Sequence, residues 1–263
     1  MSEKLGCVSQ LRFTTLVEAP LTVAFDVARA LGRPWPVPLE EVVSVRPTRD
    51  VYAVGPGRGW RWLTHSRRFT ATGAGTLVEE QVDWATALPR PLGRMVDPLL
   101  RRRVLRAMRA HLDGYAAAAA RRALDVVQVV GAALVDGDRV LVAQRSGGPY
   151  DGCWEFPGGK VEPGEEELAA LVREIGEELG VAVVLQAFLG EVVLDGVVAG
   201  GLPGASTLRV WWGRVQPGSE VTAREHSELR WLGADELESL DWIPADRPLL
   251  PAVRALLARP GQH

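Results

Sequence analysis

The chain has 263 residues, 47% of them hydrophobic and 24% charged, which fits a core-forming globular protein of one large or two ordinary domains. It contains no apolar run of about 18 residues or more, so neither a membrane span nor a membrane partner is expected. The start carries no apolar signal region, and Cys7 and Cys153 are too few and too far apart for a disulfide framework; both point to a reducing cytoplasm.

The net charge of -3 hides an asymmetry. Residues 1–124 carry 19 Lys and Arg against 11 Asp and Glu, a net of +8; residues 125–263 carry 11 against 22, a net of -11. Such a split points to two domains with different tasks, set at 1–123 and 124–263. The acidic half suits cation binding. The basic half reads as an Arg-rich solvated surface rather than a nucleic-acid site.

Taken in order, Leu11–Val17 reads as a strand and Leu21–Leu31 as a short helix with Leu21, Phe25 and Ala28 on one face. Three prolines within Gly32–Pro38 exclude regular structure there. Val42–Val45, Val51–Val54, Trp60–Thr70 and Thr76–Trp84 read as strands between Gly and Pro turns. Asp97-Pro98 reads as an N-cap followed by a first helical proline. A long helix is then expected to about Ala123, with Leu100, Val104, Met108, Leu112 and Tyr115 along one stripe.

This order of elements, with Val17-Glu-Ala-Pro20, His65-Ser-Arg-Arg-Phe69, Gly75-Thr-Leu-Val-Glu-Glu80 and Pro91-Leu-Gly93, resembles the START-like and polyketide-cyclase-like (SRPBCC) superfamily over residues 8–122. The resemblance implies an α+β helix-grip-like domain and a small hydrophobic ligand inside it. The segment is short for that superfamily.

In the second half, Val126–Val135 and Arg139–Gln144 flank an Asp136-Gly-Asp138 hairpin turn. Further strands are expected at Val183–Leu194, Leu208–Val215 and Leu229–Leu232, with a Gly-rich loop at 196–204 and a closing helix at Arg247–Leu257. Between them, Glu165 is expected to open a helix with Leu168, Leu171, Val172, Ile175 and Leu179 on its apolar face. Glu174, Glu177 and Glu178 fall at i, i+3 and i+4 and so are neighbours on that helix. Like charges so placed repel by about a few tenths of a kcal/mol per pair. A hard divalent cation would relieve that, since Mg²⁺ takes one or two carboxylates together with substrate phosphates.

The spacing Gly159, Glu165, Arg173-Glu174-Ile175, Glu177-Glu178, Gly180-Val181 matches the Nudix box at every specified position. Trp154-Glu-Phe-Pro-Gly-Gly159, Ala143-Gln-Arg145, Glu225 ahead of Trp231, and Pro244-Ala-Asp-Arg-Pro-Leu-Leu250 extend the resemblance to the MutT-like subgroup over residues 125–257. It implies an α/β/α fold with a mixed sheet. It also implies Mg²⁺, with Mn²⁺ as a substitute, held by Gly159, Glu174, Glu177, Glu178 and Glu225. Glu174 or Glu225 would deprotonate or orient the attacking water, and Arg173 would orient the glutamates. Arg145 and Lys160 are candidate phosphate or nucleotide contacts. Phe156 would line a base pocket, or serve only as a core aromatic. Asp246 would accept hydrogen bonds from the base, or cap the last helix.

Zinc spacing, a P-loop and Gly-x-Ser-x-Gly are all missing from the sequence. The MutT-like resemblance implies hydrolysis of a nucleoside triphosphate to monophosphate and pyrophosphate, with 8-oxo-dGTP the leading expectation. A CTP or modified-dCTP pyrophosphohydrolase, and a Nudix-based sensor with a ligand-binding N-terminal domain, stay open beside it.

Overall fold

The computed structural model describes residues 8–56, 60–194 and 206–258; Cys7 and the loop expected at 196–204 lie outside them. The chain divides into two compact units between Asp125 and Val126.

The first unit runs β1 (Val8–Val17), α1 (Leu21–Ala30), β2 (Glu40–Val45), β3 (Arg49–Val54), β4 (Trp60–Thr72), β5 (Gly75–Thr86) and α2 (Arg90–Ala123). The strands form one antiparallel sheet in the order β1-β5-β4-β3-β2. Alternation places Leu63, His65, Arg67 and Phe69 of β4, and Val78, Glu80, Val82 and Trp84 of β5, on the buried side. The buried stripe of α2 runs through Val104, Met108, Leu112 and Tyr115.

The helix begins eight residues before the expected Pro98, because Pro91 already supplies the first-turn proline. Asp97 does not cap it. Its carboxylate accepts from Ser9 Oγ at 2.5 Å and from the Trp84 indole N–H at 3.2 Å, so it ties helix to sheet.

An ionic row crosses this interior. Arg67 donates to Asp50 at 3.0 and 2.6 Å and to the Ala28 carbonyl at 2.9 Å, and Arg33 donates to Asp50 at 2.9 Å. In the next row, His65 Nε2 lies 2.6 Å from Glu80, and the Trp35 indole donates to His65 Nδ1 at 3.1 Å.

The second unit runs β6 (Gln128–Asp136), β7 (Arg139–Gln144), β8 (Trp154–Glu155), β9 (Gly158–Lys160), α3 (Glu167–Leu179), β10 (Val183–Leu194), β11 (Ser206–Val215), β12 (Glu228–Gly233) and α4 (Leu250–Leu257). Its sheet order is β10-β11-β6-β7-β12, with β11 and β6 parallel and the other pairings antiparallel. Strand alternation separates two cores. Val130, Ala132 and Leu134 pack with Leu171, Ile175 and Leu179 of α3; Ala133 and Val135 pack with Val253, Leu256 and Leu257 of α4. Helices therefore cover both faces of a mixed sheet.

Two helix boundaries differ from expectation. Helix α3 starts at Glu167, because Glu165 closes a turn: its N–H donates to the Glu162 carbonyl at 3.0 Å and its carboxylate accepts from the Glu162 N–H at 3.1 Å. Leu168 and Val172 point to solvent and Ala170 takes the inner position. At the end of the unit, Arg247–Leu249 form a 3₁₀ turn, and the α-helix proper begins at Leu250.

Candidate active site

The hairpin of β6 and β7 pairs at its turn, Val135 with Val140 and Asp136 with Arg139. Further along, β9 pairs with β6 and β8 pairs with β7. The split opens a cleft of about 580 Å³, lined by Gly159, Lys160, Glu174, Glu178, Arg145, Phe156, Glu225 and Asp246, among others. Eight of the sequence-selected residues thus meet in one cleft. Arg173 and Glu177 do not line it.

Two glycines make the close approach between β9 and its neighbours possible. Gly158 has φ +151°, and a Cβ there would stand 2.1 Å from the Val130 carbonyl oxygen. A Cβ on Gly159 would stand 2.3 Å from the Glu174 carboxyl carbon. Only a glycine backbone can lie this close to that carboxylate.

Arg173 stands behind this wall. It donates to both oxygens of Glu165 at 2.9 Å, reaches Glu174 at 3.0 Å and Glu177 at 3.1 Å, and donates to the Lys160 carbonyl at 3.2 Å. The planar fork locks helix, turn and β9 together, as an ammonium could not. Those contacts, Glu165 foremost, hold its pKa above the ordinary arginine value.

Glu178 is set deeper. Its carboxylate accepts from the Gly158 N–H at 3.0 Å, and burial pushes its pKa up to about 7 against the pull of His226. Sequence reading passed over His226. Its Nε2 lies 3.4 Å from Glu155, and Glu155 accepts from Arg145 Nη1 at 2.5 Å. Burial alone would lower the His226 pKa, but Glu155 and Glu178 outweigh it and raise it. The only signal for it in the sequence was its place next to Glu225.

Asp246, also in the cleft lining, is 2% exposed and accepts from the Phe156 N–H at 2.7 Å. It makes no helix-capping hydrogen bond. Burial pushes its pKa up to about 8, which favours the protonated carboxyl near pH 7. Phe156 is buried against Trp242, ring centroids 5.0 Å apart, while bordering the cleft. It is core residue and cleft wall at once.

Among the described residues, no three His, Cys, Asp or Glu side chains already close around a single point. Mg²⁺ does not require that, since waters and substrate oxygens fill most of its shell. What the residues offer fits such an ion: hard oxygen donors, a cradle with no Cβ, and a buried carboxyl whose anion lacks a bonded Arg or Lys.

A mixed sheet thus lies between helices, and a carboxylate-bearing helix is set against a glycine pair in the lining of a cleft. Residues 126–253 match the NUDIX domain model. A Mycobacterium tuberculosis protein, provisionally named 8-oxo-dGTP diphosphatase 2, is 50% identical over 121 residues, covering 45% of this chain and 82% of that one. The CTP pyrophosphohydrolase of Escherichia coli is 38% identical over 142 residues, covering 52% and 99%. The solution structure of the E. coli ORF135 protein is 34% identical, covers 52% of this chain and 95% of its own, and has a TM-score of 0.43. The chain belongs to the Nudix family of hydrolases.

Proposed function

We propose that the cleft hydrolyses a nucleoside triphosphate to its monophosphate and pyrophosphate, with an oxidised purine such as 8-oxo-dGTP the first candidate. The observation that carries this reading is the polarity of the cleft. Its lining joins three carboxylates, Glu174, Glu178 and Glu225, to apolar side chains and a buried acid, Phe156 and Asp246 among them. A triphosphate with its cation would meet the carboxylates, and a base would meet Phe156 and Asp246.

Glu174, Glu178, Glu225 and the Gly159 carbonyl are proposed to hold Mg²⁺, with Glu177 contributing from the rim. The ion supplies screening of phosphate charge and polarisation of the phosphoryl oxygens. Arg173 holds Glu174 in place through its ties to Glu165 and the Lys160 carbonyl. Lys160 and Arg145 face the phosphates. Arg145 is oriented by Glu155. Of the two candidates for the water-orienting carboxylate, Glu225 is favoured, because Glu174 is already bound by Arg173, whereas Glu225 has no ion pair among the described residues.

A protonated Asp246 both donates and accepts. That suits the O6 and N1–H edge of a purine, and equally the N3 and N4–H edge of cytosine, so the CTP reading is kept as the second. Its other support is the likeness to the E. coli enzyme. The test is Mg²⁺-dependent pyrophosphate release by the full chain over a panel of 8-oxo-dGTP, dGTP, CTP, dCTP and 5-substituted dCTP. A preference for 8-oxo-dGTP supports the first reading and a preference for CTP the second; no turnover on any of them defeats both and leaves the sensor reading.

For the N-terminal unit we propose a helix-grip relationship, supported by the five-stranded antiparallel sheet and its long closing helix. The small hydrophobic ligand gains no support from the interior. The sheet's inner surface carries Asp50, Arg67, His65 and Glu80, which a hydrophobic guest would have to desolvate further.

A further inference from the structure

The rotation of α2 leaves a surface that its own core does not use. Its buried stripe through Val104, Met108, Leu112 and Tyr115 fixes the opposite side toward solvent. On that side the first turns present Leu92, Met95 and Leu99, exposed by 53%, 75% and 64%, with Leu88 at 41% just before the helix. At 100° per residue these three fall within one narrow sector. The same side continues through Arg102, Arg103, Arg106 and Arg109, all exposed; Arg94 and Arg101, also exposed, lie on the other side of the helix. Between Asp97 and Asp113 the sequence has no acidic residue. None of these six arginines has an ion pair among the described residues.

We propose that this face of α2, Leu92 to Arg109, docks on an anionic lipid surface. Two features must be matched at once: a knob of exposed apolar side chains, and a run of uncompensated guanidinium groups directly beyond it. Acidic headgroups neutralise the arginines while the acyl boundary takes Leu92, Met95 and Leu99. A nucleic-acid backbone would satisfy the arginines and leave the apolar side chains in water. The expectation of no membrane partner rested on the lack of a spanning segment. Among the described residues no helix is long and apolar enough to cross a bilayer, and docking at the surface needs none.

The test uses the full chain with two sets of unilamellar vesicles, phosphatidylcholine alone and phosphatidylcholine with about 30 mol% phosphatidylglycerol, read by co-sedimentation. Binding is expected to the anionic vesicles only and to weaken as salt rises toward about 0.5 M. Combined Arg102→Gln, Arg103→Gln and Arg106→Gln should weaken it by about 100-fold. Met95→Gln with Leu99→Gln should weaken it by roughly tenfold with every arginine in place. All five positions are exposed, so folding by circular dichroism and nucleotide hydrolysis should not change. Equal binding to both vesicle types, or none to either, overturns the proposal. So does unaltered anionic binding by the Met95/Leu99 variant, since the arginines would then act as a general polyanion patch, which a duplex-DNA gel shift would register.

Discussion

Asp50 of the N-terminal unit and Glu178 and Asp246 of the Nudix unit are all withdrawn from water, Glu178 least, and their surroundings treat them in opposite ways. In the N-terminal unit, burial alone would raise Asp50, but Arg67 and Arg33 outweigh it and hold its pKa below the usual carboxylate value. In the Nudix unit, Glu178 and Asp246 receive one backbone N–H each and no bonded guanidinium, so burial wins and pushes them up to about 7 and about 8. A buried charge with its partner inside the fold is a structural element. Glu178 and Asp246 lack a bonded Arg or Lys, and both line the cleft, where a ligand can meet them.

The comparison can be broken first at Glu178. Glu178→Gln should lower kcat by more than the roughly 100-fold typical of outer-shell partners of a metal site, with the unfolding transition little changed. Steady-state kinetics beside a denaturant titration decide it; near-normal turnover would remove Glu178 from the reaction. The converse change is Asp50→Asn. It strands Arg67 and Arg33 without a counter-charge and should cost about 3–5 kcal/mol of N-terminal stability, while hydrolysis per folded molecule stays the same.

Proton linkage sharpens the contrast. The raised carboxyls of Asp246 and Glu178 bind protons more tightly folded than unfolded, so their contribution is fully present below about pH 4 and is lost as pH rises through 7 to 8. His65 is shifted the other way, mainly by burial, so its contribution is present above its unfolded value of 6.5 and lost as pH falls. In metal-free protein, raising the pH from 5 to 8 should weaken the Nudix transition by on the order of several kcal/mol while strengthening the N-terminal one. Asp246→Asn should flatten the Nudix slope. Denaturant midpoints that shift in the same direction for both units would contradict the assignment.

Much of this site could be read directly because the box gathers its carboxylates within two turns of one helix, where spacing in sequence is spacing in space. Glu225 and Asp246, distant along the chain, were reachable only through motif resemblance. The rest escaped for physical reasons. Strands β8 and β9 have two and three residues, too short to show alternation, yet they place Gly158 and Gly159. Glu165 looked like a helix start, but its carboxylate serves a turn and Arg173. His226 gains meaning only from the fold that brings Glu155 to it. In the N-terminal unit the periodicity of α2 shows the buried stripe, but Pro98 misplaces its start, and the exposed Leu92 and Met95 fall in turns ahead of the expected helix.

A smaller effect concerns base recognition. Asp246→Ala removes a buried polar group from the cleft lining beside Phe156 and should cost about 1–3 kcal/mol of discrimination between bases, while Asp246→Asn, which still donates and accepts, should keep most of it. Ratios of kcat/KM across the nucleotide panel measure this, and an unchanged ratio in Asp246→Ala would reduce the residue to an anchor for the Phe156 N–H.

The most direct test of the central claim is product identity. The full chain is incubated with 8-oxo-dGTP and Mg²⁺, and the products are separated by anion-exchange chromatography. The account predicts 8-oxo-dGMP and pyrophosphate in equal amounts, with neither formed when the ion is chelated. Nucleoside diphosphate with inorganic phosphate, or product formation that survives chelation, would contradict it.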